Sequence, residues 1–207
     1  IVNPTNAMKG DSLPVSAFEK YVDGQFPQGS AAYEKRGVAV MVPTWAPENC
    51  IQCNTCAFVC PHATIRPFAM TEDEAAAAPE ATKFAAKPVI KTNYKFTMAI
   101  SPMDCMGCTL CVKACPVAAN AAKTGKTPAL EMVPFAGELD QQAPFDYAVA
   151  NVSEKPELVN NTVKGSQFKQ PLLEFSGSCA GCAETSYARL ITQLFGERMY
   201  ISNATGC

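Results

Sequence analysis

A chain of 207 residues with 48% hydrophobic residues can form one large or two modest domains around a substantial core. Its 19 acidic and 17 basic residues leave a net charge of −2, which argues against a nucleic-acid or membrane-surface protein. Eleven cysteines are many, but the odd number, the chain length and the metal-like spacing argue against the disulfide scaffold of a small secreted protein. Because we find neither a signal peptide nor an apolar run near the ~18 residues of a membrane span, we expect a cytoplasmic protein.

The predicted elements before the first group of cysteines are short. Residues 1–37 are rich in loops, and a short helix is expected over residues 16–21. Residues 37–42 are β-prone, and we expect this strand to end at Pro43. The single tryptophan, Trp45, comes shortly before the first cysteine, so we expect it to pack against the cysteine loop.

Two cysteine motifs repeat at a constant separation of 55 positions. Both follow the pattern C-x2-C-x2-C-x3-C-P, over residues 50–61 and 105–116. This pattern is typical of bacterial-type proteins with a pair of [4Fe–4S] clusters. Three thiolates at three-residue intervals let one tight loop surround an iron–sulfur cube, while the fourth thiolate points away from its own loop.

The fourth cysteine of each motif predicts crossed ligands, because in two-cluster ferredoxins this residue binds the other cluster. Pro61 and Pro116 then turn the chain away from each cluster at a defined angle. His62 follows directly, and we expect a surface residue in a turn; the alternative is a hydrogen-bond donor that tunes a cluster. The predicted ligands of the first cluster are Cys50, Cys53, Cys56 and Cys115, and those of the second are Cys105, Cys108, Cys111 and Cys60.

The 44 residues between Cys60 and Cys105 exceed what a minimal two-cluster protein needs. Residues 71–74 have the form of a capping box, which predicts a short helix that stops at Pro79. Residues 94–100 predict a strand that leads into the second motif. Residues 117–170 contain four prolines and no sustained period, so we expect an extended connecting arm.

A helix with one apolar stripe is predicted from about Thr185 to Gly196. Residues 199–202 then predict a strand, as at the start of an α/β domain. We expect the stripe to face the core, and it consists of Tyr187, Leu190, Ile191, Leu194 and Phe195.

A third group of cysteines, Cys179, Cys182 and Cys207, flanks this helix. Three ligands alone do not complete a four-ligand site. The group could be half of a zinc ribbon, a disulfide with a spare thiol, or three ligands of a third cluster.

Several strings resemble the pyruvate:ferredoxin (flavodoxin) oxidoreductase family, and together they cover essentially the whole chain. The resemblance implies an α+β fold: a bacterial two-[4Fe–4S] ferredoxin-like domain with insertions (residues 1–150), an extended linker arm (151–175), and the beginning of an α/β thiamine-diphosphate-binding domain (176–207). The strings are LPVSAF (13–18), YEKRG (33–37), PENCIQC (47–53), KGSQF (164–168), CAGC (179–182), QLFGERM (193–199) and NATGC (203–207).

The resemblance also implies a reaction. The family oxidatively decarboxylates pyruvate on thiamine diphosphate, passes the acetyl group to coenzyme A, and sends electrons through three [4Fe–4S] clusters to ferredoxin or flavodoxin. Cys179, Cys182 and Cys207 match three ligands of the cluster nearest the thiamine, and Glu184 and Cys207 match residues at the thiamine diphosphate itself.

The family's pyruvate site, coenzyme A site, Mg²⁺-diphosphate motif and fourth ligand of the third cluster are expected outside this chain. We therefore expect no catalytic residue within it and no turnover of pyruvate by the chain alone. The partners implied are ferredoxin or flavodoxin, the remaining domains of the same enzyme, and a second copy in a homodimer, with neither nucleic acid nor membrane.

Two residues depart from the family pattern, since Ala183 and Ser186 stand where glycine and proline are usual. Ala183 would be strained if the backbone there needed a positive φ. Without the resemblance, Glu184 would be an acid that complements the dipole at a helix N-terminus. Two further hypotheses remain at this point: a stand-alone ferredoxin-like electron carrier and a structural zinc protein.

Overall fold

Two antiparallel strand pairs form the centre of the fold in the computed structural model, which describes residues 1–25, 28–89, 91–202 and 204. Strand β1 (Met41–Trp45) pairs with β4 (Leu130–Pro134), and β2 (Ile65–Met70) pairs with β3 (Lys95–Ile100). Each pair joins a segment near the first cysteine motif to one near the second. The four strands therefore tie the two motifs together.

The β2–β3 pair separates two parts of the core. Side chains alternate between the faces of a strand, so Ile65 and Phe96 pack beside the cysteines, while Met70 and Ala99 pack on the opposite side. Both faces are covered, which explains why most residues of these strands are apolar, with Arg66, Lys95 and Thr97 as the exceptions.

Residues 1–40 contribute little to this core. They form α1 (Val2–Asn6) and three 3-10 helices at Gly10–Ser12, Val15–Tyr21 and Ser30–Tyr33, none of which contains a buried residue. The short helix predicted over residues 16–21 is confirmed in 3-10 form. The strand predicted over residues 37–42 instead begins at Met41 and continues through Pro43. Proline is tolerated here because β1 has only one strand partner.

Most of the remaining α-helices are short. They are α2 (Thr55–Val59), α3 (Glu72–Ala76), α4 (Leu110–Ala114), α5 (Pro116–Thr124), α6 (Gln142–Asn151), α7 (Val163–Ser166) and α8 (Ala183–Phe195). The predicted capping box on α3 is confirmed, because the Glu74 amide donates to Thr71 Oγ1 at 3.2 Å and the Thr71 amide donates to Glu74 Oε2 at 2.8 Å. The predicted strand before the second motif is confirmed as β3. No helix in the described ranges is both long and apolar enough to cross a membrane.

The extended arm predicted over residues 117–170 is wrong over its first part, which folds as α5, β4 and α6. The prolines occupy positions that helices and edge strands tolerate. Pro116 is the first residue of α5, Pro144 lies in the first turn of α6, and Pro134 ends β4. Buried Phe145 and Ala148 then hold α6 against the β2–β3 pair.

Helix α8 forms where it was predicted, but the predicted core-facing stripe is wrong. Tyr187 is 66% exposed and Phe195 is 52% exposed, whereas the buried residues of α8 are Thr185, Arg189 and Gln193. The polar face packs inward because its side chains find hydrogen-bond partners on the neighbouring segments. The strand predicted over residues 199–202 is also wrong, since these residues form neither a helix nor a strand.

The core beside the cysteines is built on aromatic contacts. Phe96 is fully buried, and its ring meets Trp45 edge-on at 5.9 Å and Phe168 at 6.3 Å between centroids. Trp45 lies next to the first motif, as predicted, and lines the same cavity as Cys50. This packing keeps water away from the inner side of the cysteine loops.

Candidate metal centres

The two cysteine motifs share backbone features at the 55-position offset up to the fourth cysteine, after which Pro61 lies in a turn and Pro116 begins α5. Gln52 and Gly107 both lie in the left-handed region (φ 56° and 66°), as do Asn54 and Thr109 (φ 61° and 67°). Three of these four residues carry a side chain and therefore bear strain, which is uncommon outside functional sites. The repeat in the sequence is thus a repeat in three dimensions, including helices α2 and α4, which contact each other.

This backbone directs amide hydrogens at sulfur. The Gln52 amide donates to Cys50 Sγ at 3.3 Å, and the matching Gly107 amide donates to Cys105 Sγ at 3.4 Å. The Ala118 amide donates to Cys115 Sγ at 3.5 Å. Such donors stabilise negative charge on sulfur, and they help to set the potential of an iron–sulfur cluster.

The first group of thiols encloses a cavity. Cys50, Cys53 and Cys56 of the first motif line it together with Cys115 of the second, around about 330 Å³ of space free of protein atoms, its mouth included. Burial raises the pKa of Cys50, the Trp45 and Gln52 N–H groups lower it, and the nearby Cys53 and Cys115 raise it. The fourth cysteine of the second motif therefore lies with the first three of the first motif.

The second group of thiols shows the converse arrangement. Burial raises the pKa of Cys105 to about 11, with further contributions from nearby Cys60 and Cys108. Burial also raises the pKa of Cys111 strongly, and Cys60, Cys105 and Cys108 add to the effect. Cys60, the fourth cysteine of the first motif, thus lies with the first three of the second. The two groups adjoin where Cys56 faces Cys111.

Both groups have the chemistry that a [4Fe–4S] cluster requires. Among the described residues, no three His, Cys, Asp or Glu converge on a point where they could hold one metal ion. A [4Fe–4S] cube instead takes one thiolate at each iron, so its ligands surround a space. All eight thiols are free. Because burial raises several of their pKa values, loading with a cluster must displace protons from these groups.

The third group is only partly within the described residues. Cys179 is exposed, Cys182 is half-buried, and the Cys182 amide donates to the Cys179 carbonyl at 3.1 Å. The Thr185 hydroxyl and amide lower the pKa of Cys182. Glu184 is exposed in the first turn of α8, and Cys207 lies outside the described residues. Ala183 begins α8 without a positive φ, so the anticipated backbone strain does not occur.

The loop between Cys179 and Cys182 lies against the second motif. Gly181 has φ 74°, and a Cβ added there would lie 3.5 Å from Cys108 Cβ and 3.7 Å from Leu110 Cδ1. The third group is therefore a neighbour of the second group of thiols.

His62 contradicts the prediction of a surface residue, because it is 2% exposed. Its Nδ1 lies 3.4 Å from Ser176 Oγ, and its carbonyl accepts a hydrogen bond from the Phe175 amide at 3.0 Å. Burial lowers the pKa of His62, and the backbone of Cys179 partly offsets this while Arg36 lowers it further. His62 thus connects the end of the first motif to the chain before the third group.

Sequence reasoning missed a clamp on the second motif. Lys35 Nζ lies 2.7 Å from Asp104 Oδ2 and 3.3 Å from Asp146 Oδ1, and the Asp104 side chain is 3% exposed. The Gly37 amide also donates to the Met103 carbonyl at 2.8 Å. Residues 35–37 therefore hold the chain directly before Cys105. No residue spacing in the sequence reveals this contact.

Sequence reasoning also missed Arg189 on α8, which is 1% exposed. Its guanidinium donates to the Phe58 carbonyl at 2.6 Å, to Gln193 Oε1 at 2.8 Å and to Gln167 Oε1 at 3.3 Å. The available signal was the polar series Thr185, Arg189 and Gln193, spaced by four residues on one face of a helix.

Comparisons with known proteins agree with this geometry. A family model described as a 4Fe-4S dicluster domain matches residues 49–119, and the EKR model, described as a domain of unknown function, matches residues 1–39. The whole chain aligns with a pyruvate-flavodoxin oxidoreductase of Klebsiella pneumoniae at 52% identity and with a pyruvate:ferredoxin oxidoreductase of Moorella thermoacetica at 51%. It also aligns over its full length with a pyruvate dehydrogenase [NADP(+)] of Cryptosporidium parvum at 46%.

The chain spans 17% of the length of the Klebsiella and Moorella proteins and 10% of the Cryptosporidium protein. The resemblance noted in the sequence is thereby confirmed. Over its full length, this chain is homologous to one segment of the pyruvate:ferredoxin and pyruvate-flavodoxin oxidoreductases, and it contains a 4Fe-4S dicluster domain.

Proposed function

We propose that this chain transfers electrons through [4Fe–4S] clusters within a pyruvate:ferredoxin (flavodoxin) oxidoreductase. One observation carries the proposal: each group of four thiols takes its fourth member from the other motif, as bacterial two-cluster proteins do. Identity of 50% or more to three such oxidoreductases over the whole chain supports the same function.

The proposed residues have distinct tasks. A bound [4Fe–4S] cluster supplies one-electron chemistry. The eight thiolates hold the two clusters, the amides of Gln52, Gly107 and Ala118 stabilise charge on three of the sulfurs, and the core around Phe96 excludes water. We assign the first cluster to Cys50, Cys53, Cys56 and Cys115, and the second to Cys105, Cys108, Cys111 and Cys60.

We further propose that Cys179, Cys182 and Cys207 provide three ligands of a third cluster, and that Glu184 and Cys207 lie at thiamine diphosphate with Mg²⁺. The loop at Gly181 lies close to Cys108, since a Cβ added at Gly181 would be 3.5 Å from Cys108 Cβ. This proximity supports an order of electron flow from the third cluster to the second and then to the first. The adjacency of Cys56 and Cys111 supports the last step. The boundaries 1–150, 151–175 and 176–207 remain our proposed division of the chain.

In the whole protein, the proposed reaction converts pyruvate and coenzyme A to acetyl-CoA and CO₂. The proposed acceptor is ferredoxin or flavodoxin, and the proposed assembly is a homodimer in the cytoplasm, where thiols remain reduced. The open stripe on α8, including Tyr187 and Phe195, is a suitable surface for the rest of the enzyme. A stand-alone carrier would explain the two motifs alone, but not the match across residues 120–207.

Iron and acid-labile sulfide analysis of the anaerobically purified protein tests the proposal. We expect about eight iron and eight sulfide per chain from the two thiol groups, with broad absorbance near ~400 nm. Cys108→Ala should remove about four iron, whereas Met106→Ala in the same loop should remove none. Zinc without sulfide, or no iron after anaerobic reconstitution, would refute the proposal.

A further inference from the structure

The Arg189 guanidinium is a buried cation without a carboxylate partner. It contacts the Phe58 carbonyl and the amide oxygens of Gln167 and Gln193, all of them neutral acceptors. In the part of the chain that the structure describes, no ion pair includes Arg189, and its Nε has no hydrogen-bond partner. Burying an unpaired charge is costly. An anion is therefore expected near this side chain.

Burial lowers the pKa of Arg189, and two neighbouring groups act on it in opposite directions. Cys60, two residues after the Phe58 carbonyl that Arg189 contacts, raises this pKa, and Arg66 lowers it further. Arg66 has its own partner, because its guanidinium forms an ion pair with Glu174. Of the two groups, only Cys60 can supply negative charge to Arg189, and it does so as a thiolate.

The position of Arg189 is fixed by the cysteine motif itself. The guanidinium donates to the carbonyl of Phe58, which lies near the C-terminal end of α2 and two residues before Cys60. Carbonyls at a helix C-terminus favour a cation. This contact holds the guanidinium at the C-terminal end of α2, two residues before Cys60.

We propose that Arg189 raises the reduction potential of the second cluster, acting through Cys60 as its buried counter-charge. This proposal rests on the proposed function, since it requires a cluster at Cys60, Cys105, Cys108 and Cys111. With four thiolates, an oxidised cluster carries a net charge of roughly −2, and one added electron makes it more negative by one, with no proton transferred. A nearby positive charge stabilises the more negative state more strongly.

The test is a potentiometric titration of the anaerobically purified holoprotein with dithionite, followed by electron paramagnetic resonance. Cys60→Ser first identifies the signal of the second cluster. In Arg189→Gln, we expect the equilibrium constant for reducing this cluster to fall about tenfold, which is about 59 mV for one electron. The equilibrium constant for reducing the first cluster should change less than twofold in this variant. The control is Arg198→Gln, which removes an exposed arginine shortly after α8, and there the constants of both clusters should change less than twofold.

Two further variants decide the question if Arg189→Gln does not retain its iron. Arg189→Lys keeps the positive charge, so the equilibrium constant for reducing its second cluster should stay within about threefold of the wild-type value. Gln193→Glu places a carboxylate beside the guanidinium, so it should lower the potential of the second cluster as Arg189→Gln does. An unchanged second-cluster potential in Arg189→Gln, or in Gln193→Glu where the first variant loses its iron, overturns the proposal. Absence of clusters from the wild type would instead refute the proposed function.

Discussion

Replacing Glu74 by glutamine should weaken the attachment of α3 to the chain after α6. The Glu74 carboxylate accepts hydrogen bonds from the Ser153 amide at 3.0 Å, the Ser153 hydroxyl at 2.8 Å and Lys155 Nζ at 3.0 Å, besides its capping bond from Thr71. Burial raises the pKa of Glu74, but these donors together outweigh it and lower the pKa from 4.5 to about 2. The folded protein therefore stabilises the ionised form of the Glu74 carboxyl group far more than its neutral form.

The size of the effect follows from this pKa. A shift from 4.5 to about 2 corresponds to about 3.4 kcal/mol before solvent screening, at about 1.36 kcal/mol per pKa unit. The Glu74 side chain is 16% exposed, so solvent screening reduces the value, and we expect about 1–2 kcal/mol. Because the pKa is lower in the folded state, this stabilisation is complete above pH 4.5 and is lost as the pH falls towards 2.

The rate of cluster loss in guanidinium chloride, followed at ~400 nm under anaerobic conditions, measures this effect. At pH 7 we expect Glu74→Gln to lose its absorbance about 5- to 30-fold faster than the wild type. Glu72→Gln is the matched control, since Glu72 on the same helix forms an exposed ion pair with Lys95, and a change of about twofold or less is expected. A Glu74→Gln rate equal to the control, or a ratio that differs between pH 7 and pH 5.5, would refute the reasoning.

Three further predictions use the same assay. Phe96→Leu removes two edge-on ring contacts and should lower the stability of the protein by about 1–2 kcal/mol, so both clusters should be lost faster than in the wild type. An unchanged rate would show that this core does not protect the clusters. Gly107 has a positive φ, and Gly107→Ala would place a Cβ 3.1 Å from a backbone oxygen, so this variant should destabilise the protein by about 1–2 kcal/mol. Thr109 also has a positive φ, so Thr109→Gly should stabilise the protein by up to about 1 kcal/mol. The reverse order of stabilities would contradict the left-handed backbone. Lys35→Met leaves buried Asp104 without its cation and should lower the stability of the protein by about 1–3 kcal/mol. We expect this variant to lose the second cluster before the first, and simultaneous loss of both would refute the role of Lys35 as a clamp.

The parts of the fold that were predicted correctly depend on local chemistry. The cysteine motifs, the Thr71 capping box and strand β3 each follow from residues close together in the sequence. Cys60 lies with the thiols of the second motif, which agrees with the crossed pattern, and the assignment of these thiols to clusters stays a prediction.

The parts that were predicted wrongly depend on partners far away in the sequence. The apolar residues of α8 predicted the inward face, yet Arg189 and Gln193 pack inward because the Phe58 carbonyl and the Gln167 amide lie there. His62 is buried because the chain near Ser176 returns over it. No periodicity of hydrophobic residues reports such contacts, so the sequence alone could not reveal them.

The crossed assignment of ligands is tested most directly by comparing four serine variants in the full-length holoprotein by electron paramagnetic resonance. Cys53→Ser and Cys108→Ser alter the first and the second cluster, respectively, through cysteines that lie within each loop. We predict that Cys115→Ser changes the same signal as Cys53→Ser, and that Cys60→Ser changes the same signal as Cys108→Ser. If Cys115→Ser instead changes the signal that Cys108→Ser changes, each motif binds its own cluster and the account is wrong.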